Sequence, residues 1–227
     1  LLGFILPDLE NQSYARLAKL LEAGARAEGF QLIITCSDDN PQTEMALAEM
    51  LVARRIDALL VSSVLETDNR FYRDLQAKGV PIIAIDRAMD DEYFASVISE
   101  DMQGAIRLTD SLLASQPQSI GLIGAVADIA ISQQRELGFR KAISYSAPQL
   151  IPQIQYGDHF SREVGAHLCA KWIKEGRVPQ AILTTSYVLL EGVLDELVQH
   201  PELLAVTRLA TFGDNRLLDY LPIRVNA

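Results

Sequence analysis

The chain lacks most of the features that announce a common chemistry. It has two cysteines in 227 residues, Cys36 and Cys169, each in an apolar setting. Two isolated cysteines at this length do not build a disulfide framework; they read as reduced core residues and lean towards a cytoplasmic home. The three histidines, His159, His167 and His200, have no metal-ligand spacing with one another or with a cysteine, so they read as surface or helix residues and no metal is expected. No apolar stretch reaches the roughly 20 residues that cross a bilayer, and no signal peptide is visible. No run of Lys and Arg occurs either. With 20 basic against 30 acidic side chains the formal net charge is −10, and the isoelectric point is about 4.8. Such a surface repels a polyanion, so this segment does not grip DNA by itself.

Enzyme signatures are missing as well. No G-x-G-x-x-G follows a first strand, and Gly121-Leu122-Ile123-Gly124 has the wrong spacing for a dinucleotide. There is no P-loop and no G-x-S-x-G elbow. The carboxylate pairs Asp38-Asp39 and Asp90-Asp91 read as solvated turns. Nothing lines up a nucleophile with a base and an orienting third group, so no enzyme and no cofactor are expected.

What is present is an alternation of strand and helix patterns. Apolar residues make up 49% and charged ones 22%, enough to bury a core and too few charges of one sign for disorder. Strand patterns fall at Leu1–Leu6, Gln31–Cys36, Ile56–Val61, Val80–Ile85 and Ser96–Ser99, then at Ile120–Ile123, Leu150–Gln155, Ala181–Thr184 and Arg208–Phe212. Helical spacing occupies Tyr14–Glu28, a stretch from Pro41 to about Arg54, Arg70–Lys78, Met102–Ala114, Ile131–Ser144, Ser161–Lys174 and Leu189–Gln199. Asn40-Pro41 reads as an N-cap with proline at the first helical position, and Glu44 in the first turn suits the helix dipole. The strands are near-continuous apolar runs, as parallel sheets covered by helices on both faces require. The polar break Gln116-Pro117-Gln118 divides two βα series, giving an α/β chain with lobes 1–116 and 117–227. There is no repeat of fixed period. The chain opens inside one strand pattern and closes in another, Pro222–Ala227, with no partner in view, so further material is expected at both ends.

In open parallel sheets ligands bind at the carboxyl ends of the strands. The residues that follow the strands are Asp8, Asn11, Ser13 and Tyr14; Ser62 and Ser63; Asp86 and Arg87; Glu100 and Asp101; Thr185, Ser186 and Tyr187; Asp214 and Asn215, with Arg135 near a helix start. Carboxylates and amides pair with sugar hydroxyls, Tyr14 offers a flat face for a sugar ring, and Arg87 and Arg135 suit anionic oxygens. A helix N-terminus near Ser13 adds about 0.3–1 kcal/mol for an anion. Any single one of these residues is also a reasonable turn or cap residue. Arg87, set between a buried strand and a loop, calls for an anionic partner, either a ligand or the adjacent Asp86.

The stretch Pro7-Asp8-Leu9-Glu10-Asn11-Gln12-Ser13-Tyr14, the block Asp38 to Ser63, Ile85-Asp86-Arg87, Arg135-Glu136-Leu137-Gly138-Phe139 and Thr211–Asn215 together resemble the LacI/GalR regulators over essentially the whole chain. The runs CSDDNP, DRAMDDEYFASV, QAILTTS and ATFGDNRLLDYL are similar to that family's fructose-repressor branch. The resemblance implies a periplasmic-binding-protein-like fold of two Rossmann-like lobes with a ligand cleft between them. It implies a homodimer or tetramer in the cytoplasm and an upstream helix-turn-helix domain that meets operator DNA. The effector it implies is fructose 1-phosphate, with fructose 1,6-bisphosphate as the second candidate. Effector contacts carried over residue by residue fall on Asn11, Ser13, Tyr14, Asp86, Arg87, Asp101, Arg135 and Asp214. Ser186-Tyr187 stands where many relatives have Asn-Asp, so Ser186 replaces one amide contact there. A periplasmic sugar-binding protein of a transporter is the main alternative, and a small Rossmann-like enzyme the second.

Overall fold

A computed structural model describes residues 1–65, 68–89, 92–221 and 225–227. The chain divides into two compact units, Leu1–Ser99 and Glu100–Ala227. The first contains β1 (Leu2–Leu6), α1 (Gln12–Ala27), β2 (Leu32–Cys36), α2 (Pro41–Ala53), β3 (Ala58–Val61), α3 (Arg70–Ala77), β4 (Ile82–Ile85) and β5 (Ala95–Val97). Its sheet has the order β2-β1-β3-β4-β5, and every pair is parallel. Successive residues of a strand face opposite ways, which divides the apolar run of β1 between two cores. Phe4 and Leu6 pack with Tyr14, Ala18 and Leu17 on the α1 side. Ile5 packs with Ala48, Leu51, Tyr72 and Leu75 of α2 and α3.

Local signals set the helix ends. Asn11 caps α1 by accepting from the Ser13 N–H at 3.0 Å, and Gly29, at φ +80°, takes the left-handed turn after it. Asn40 caps α2 by accepting from the Thr43 N–H at 2.9 Å, ahead of Pro41.

The second unit contains α4 (Asp101–Leu113), β6 (Ile120–Gly124), α5 (Ala130–Ser146), β7 (Gln153–Tyr156), α6 (Arg162–Lys174), β8 (Ala181–Thr184), α7 (Tyr187–Val198), α8 (Pro201–Leu204), β9 (Arg208–Thr211), a 3₁₀ turn at Arg216–Tyr220 and β10 (Val225–Asn226). The order β7-β6-β8-β9-β10 repeats that of the first sheet, again all parallel. One face packs Leu122, Leu183 and Ala210 against Leu112 of α4 and Phe139 of α5. The other packs Ile123, Ile182 and Leu209 against α6 and α7, around Leu168, Trp172 and Val193. Fully burying each Leu, Ile or Phe stabilises by about 1.5–3 kcal/mol.

Two expectations change. The polar break at residues 116–118 suggested a border there, but α4 packs on α5 within the second unit, and the units part before it. The final strand also has a partner: Val225 pairs with Leu209 and Asn226 with Ala210. Asp90-Asp91 and residues 222–224 lie outside the described residues. Cys36 and Cys169 are both free. Among the described residues, no helix is long and apolar enough to cross a membrane, and no group of three His, Cys, Asp or Glu side chains could hold a metal ion.

Candidate functional site

In each sheet the first strand sends its neighbours in opposite directions, so the carboxyl ends of β1 and β3, and of β6 and β8, form the switch points at which α/β sheets bind ligands. The residues singled out in the sequence gather at these ends in two sets.

In the first unit Tyr14, buried in the first turn of α1, donates its hydroxyl to Asp86 Oδ2 at 2.7 Å and lies 3.0 Å from Ser62 Oγ. Burial above all lifts the phenol well beyond its ordinary pKa; Arg87 pulls the other way, and the Asp86 carboxylate adds to the rise. Asp86 sits at φ +65°. The Arg87 N–H donates to Ile85 O at 2.7 Å, closing a tight turn over it, and the Asp86 N–H donates to Val97 O at 2.8 Å. Such a conformation costs a non-glycine residue about 1–3 kcal/mol, and outliers of this kind concentrate where ligands are held.

Arg87 is 3% exposed and donates from Nη1 to Asp39 Oδ1 at 2.7 Å. Its partner is therefore Asp39, not the adjacent Asp86, whose Oδ2 receives the Tyr14 hydroxyl. Asp38 and Asp39 lie in a turn, as expected, with left-handed φ values of 52° and 53°, and Asp38 is exposed; Asp39 departs from the expectation only in being held by this ion pair. Among the described residues the buried Nε of Arg87 has no hydrogen-bond partner. Asn11 is engaged as the α1 cap, and Ser13 is exposed beside it.

In the second unit Arg135, one turn into α5, donates from Nε to Asp101 Oδ1 at 2.7 Å and from Nη1 to the Thr185 carbonyl. Its guanidinium lies over the Phe212 ring, 4.1 Å from the centroid, a cation–π contact. Two glycines make room for this arrangement. A Cβ on Gly138 would strike the Met102 carbonyl and come within 2.8 Å of Ala105 Cβ, so the glycine lets α4 bring Asp101 to α5. A Cβ on Gly104 would lie 2.9 Å from the Phe212 ring. Asp101 with Gly104, and Arg135 with Gly138, thus recur at i and i+3 on the two helices, the spacing that puts both members on one face. Ser186 stands at the N-cap of α7 with its hydroxyl buried and, among the described residues, unpaired, as are the hydroxyls of Ser132 and Thr185. Asp214 is exposed, in the turn after β9.

The structure thus joins Tyr14, Asp86 and Arg87 in one network and Asp101 and Arg135 in another. Asn11, Ser13, Ser186 and Asp214 flank these networks without a side-chain bond to their members. Sequence reasoning missed Asp39 and Phe212. A polar pair in a turn carries no mark of an ion pair 48 residues away, whereas Phe212, directly after a strand, stood where a ligand-side aromatic would be sought.

The profile of periplasmic binding proteins and the sugar binding domain of the LacI family matches residues 1–189. The chain belongs to this family. It is 55% identical over 225 residues to the fructose operon regulatory protein of Vibrio cholerae, covering 99% of this chain and 68% of that protein. It is 39% identical over 227 residues to the catabolite repressor/activator of Escherichia coli K12, covering 100% of this chain and 67% of that one. It superimposes with a TM-score of 0.93 and 50% identity on the crystal structure of the Cra transcriptional dual regulator from Pseudomonas putida in complex with fructose 1-phosphate. That match covers 99% of this chain and 83% of the other. The chain is therefore the effector-binding domain of a LacI-type regulator. These matched proteins are transcription regulators, so the transporter alternative is not favoured.

Proposed function

We propose that this domain senses a fructose phosphate, fructose 1-phosphate foremost and fructose 1,6-bisphosphate second, and in doing so changes the affinity of a dimeric regulator for operator DNA. The effector contacts are Tyr14, Asp86 and Arg87 in the first unit and Asp101, Arg135 and Ser186 in the second, with Asn11, Ser13 and Asp214 at their margins. The observation that carries this reading is the buried Nε of Arg87, which has no partner among the described residues. An orphaned buried donor costs about 1–3 kcal/mol, and native structures rarely leave one without reason. A ligand oxygen supplies the missing acceptor. Asp86, one of whose oxygens receives the Tyr14 hydroxyl, keeps the other for a sugar hydroxyl. The likeness to a regulator crystallised with fructose 1-phosphate supports the same ligand here.

DNA binding falls to a segment outside this acidic domain, in keeping with relatives of which the chain spans about two thirds. A cytoplasmic location follows from that role. An effector that prefers one arrangement of the regulator by about 1–3 kcal/mol shifts operator affinity about 5–150-fold.

Calorimetric titration tests the proposal. Fructose 1-phosphate binds with a micromolar constant, about −8 kcal/mol, and unphosphorylated fructose binds far more weakly. Arg87→Lys, which keeps the charge and loses the planar fork, weakens binding at least about tenfold, the equivalent of one hydrogen bond. Equal affinity for fructose and fructose 1-phosphate would sink the phosphate assignment, and an unchanged Arg87→Lys would sink the site.

A further inference from the structure

Glu44 is fully buried in the first turn of α2. There it suits the helix dipole as expected, and it also points inward and accepts three hydrogen bonds. Oε1 takes the Ser63 hydroxyl and, at 2.6 Å, the Tyr72 hydroxyl; Oε2 takes the Val64 N–H at 2.8 Å. Ser63 Oγ in turn accepts from the Leu65 N–H at 2.9 Å. Glu44 therefore fixes the turn that leaves β3. The residue that opens this turn is Ser62, tied on its strand side by its N–H to Ile5 O at 2.9 Å and placed with its hydroxyl 3.0 Å from that of Tyr14. Five residues before Glu44, Asp39 holds Arg87. Asn40 and Pro41 between them pin the start of α2.

We infer that Glu44 is a positioning residue: it holds the Ser63–Val64 turn, and through it the Ser62 hydroxyl against which Tyr14 is set. The inference rests on the reading of Tyr14 and Asp86 as effector contacts. A purely structural carboxylate would need only to be satisfied. This one joins two elements of the ligand-bearing edge, and the two acidic residues of a single short segment reach both arms of the first unit's set. The chemistry also says why a carboxylate is required. All three neighbours are donors, so a carboxamide must present its own N–H to one of them. With Oε1 kept for Ser63 and Tyr72, the amide nitrogen of a glutamine faces the Val64 N–H, donor against donor; with the amide flipped, both hydroxyls must turn round to accept from it, so either way the turn is held differently.

The test compares Glu44→Gln with Tyr72→Phe in the full-length protein. Tyr72→Phe removes one donor but leaves both loop contacts intact. Thermal melts give stability, titration with fructose 1-phosphate gives affinity, and the ¹³Cζ resonance of Tyr14 in the free protein reports its hydroxyl environment. Positioning predicts that Glu44→Gln raises Kd at least about tenfold, the loss of one hydrogen bond, and moves the Tyr14 resonance. Tyr72→Phe lowers the melting temperature but keeps Kd and the resonance unchanged. Where Glu44→Gln does not fold, Ser63→Ala takes its place with the same expectation. The inference is overturned if Glu44→Gln binds like the parent, or if both variants weaken binding in step with their loss of stability. A parent protein that fails to bind fructose 1-phosphate refutes the effector reading alone, and the Tyr14 resonance then decides whether Glu44 sets this geometry.

Discussion

Arg87 and Arg135 are both nearly sealed from water, yet the two units hold them in opposite ways. Among the described residues Arg87 leans on one carboxylate, Asp39, which is itself 28% exposed, and its Nε has no partner. Arg135 is engaged on several sides: Asp101 at Nε, the Thr185 carbonyl at Nη1 and the Phe212 ring beneath. Its carboxylate partner is 8% exposed. The difference lies in what surrounds each guanidinium. Arg87 follows a strand into a strained turn, so its surroundings are loop. Arg135 projects from a helix whose neighbour α4 carries Asp101 against it, so its surroundings are packed helix. The first arrangement leaves the Nε of its arginine for a ligand; the second also ties its arginine into the packing of its unit, whatever else that arginine meets.

The sharpest way to break this contrast is to truncate each arginine. Arg135→Ala takes the guanidinium away from the buried Asp101, and breaking one side of a buried ion pair costs about 3–5 kcal/mol. Arg87→Ala leaves Asp39 able to reach water, and the loss is smaller, about 1–3 kcal/mol, chiefly that of a charge-assisted hydrogen bond. Urea denaturation of both variants measures the difference. Equal losses would mean that Arg135 is no more structural than Arg87. The double variant Asp101→Ala with Arg135→Ala recovers part of the larger loss, because no charge is left buried.

The glycine that brings α4 to α5 gives the next largest effect. Gly138→Ala drives a methyl into the Met102 carbonyl and Ala105, and overpacking of this kind costs about 1–3 kcal/mol. The matching change in the first unit has the opposite sign. Nothing lies within 4 Å of a Cβ added to Gly24 in α1, so Gly24→Ala stabilises by about 0.4–1 kcal/mol through the unfolded chain. Melting temperatures of the two variants should fall on either side of the parent. A stabilised Gly138→Ala would show that the helices can part without loss, and the Asp101–Arg135 pair would then not depend on their close approach.

How much of this was legible in the sequence follows the same division. The strands and helices could be read because apolar runs and cap residues act locally: Asn40-Pro41 and Ser161 start helices where expected. Tyr14, Asp86 and Arg87 could be grouped in advance because residues that follow parallel strands share one edge whatever the loops do. The ion pair of Asp39 and the buried partners of Glu44 went unread because a carboxylate in a turn or early in a helix is normally solvated, and only tertiary packing supplies its partners. The border between the units was misplaced for a related reason. A polar break in sequence marks where a helix ends, not which sheet the helix covers.

The smallest expected effect separates the two sets by pH. Tyr14 and Tyr72, both in the first unit, are held protonated well above the ordinary phenol range, by burial first and by Asp86 and Glu44 beside them. The Asp101–Arg135 network contains no phenol. The sign follows from linkage. A phenol whose native pKa is raised keeps its proton in the folded state, while the unfolded chain releases it near pH 10. Its contribution to stability is complete below that pH and is lost progressively as pH rises towards the native value. Half a unit above the unfolded pKa, each such phenol favours unfolding by about 0.8 kcal/mol. Stability measured between pH 9 and 11 should therefore fall, and phenolate absorbance from these two residues should appear only as the protein unfolds. Tyr14→Phe removes one of the two contributions and flattens the alkaline slope, whereas Arg135→Gln, which introduces no group that titrates between pH 9 and 11, leaves the slope unchanged. A parent-like slope in Tyr14→Phe would mean that Tyr14 ionises as freely in the folded protein as in the unfolded chain, and its bond to Asp86 would then not hold in solution.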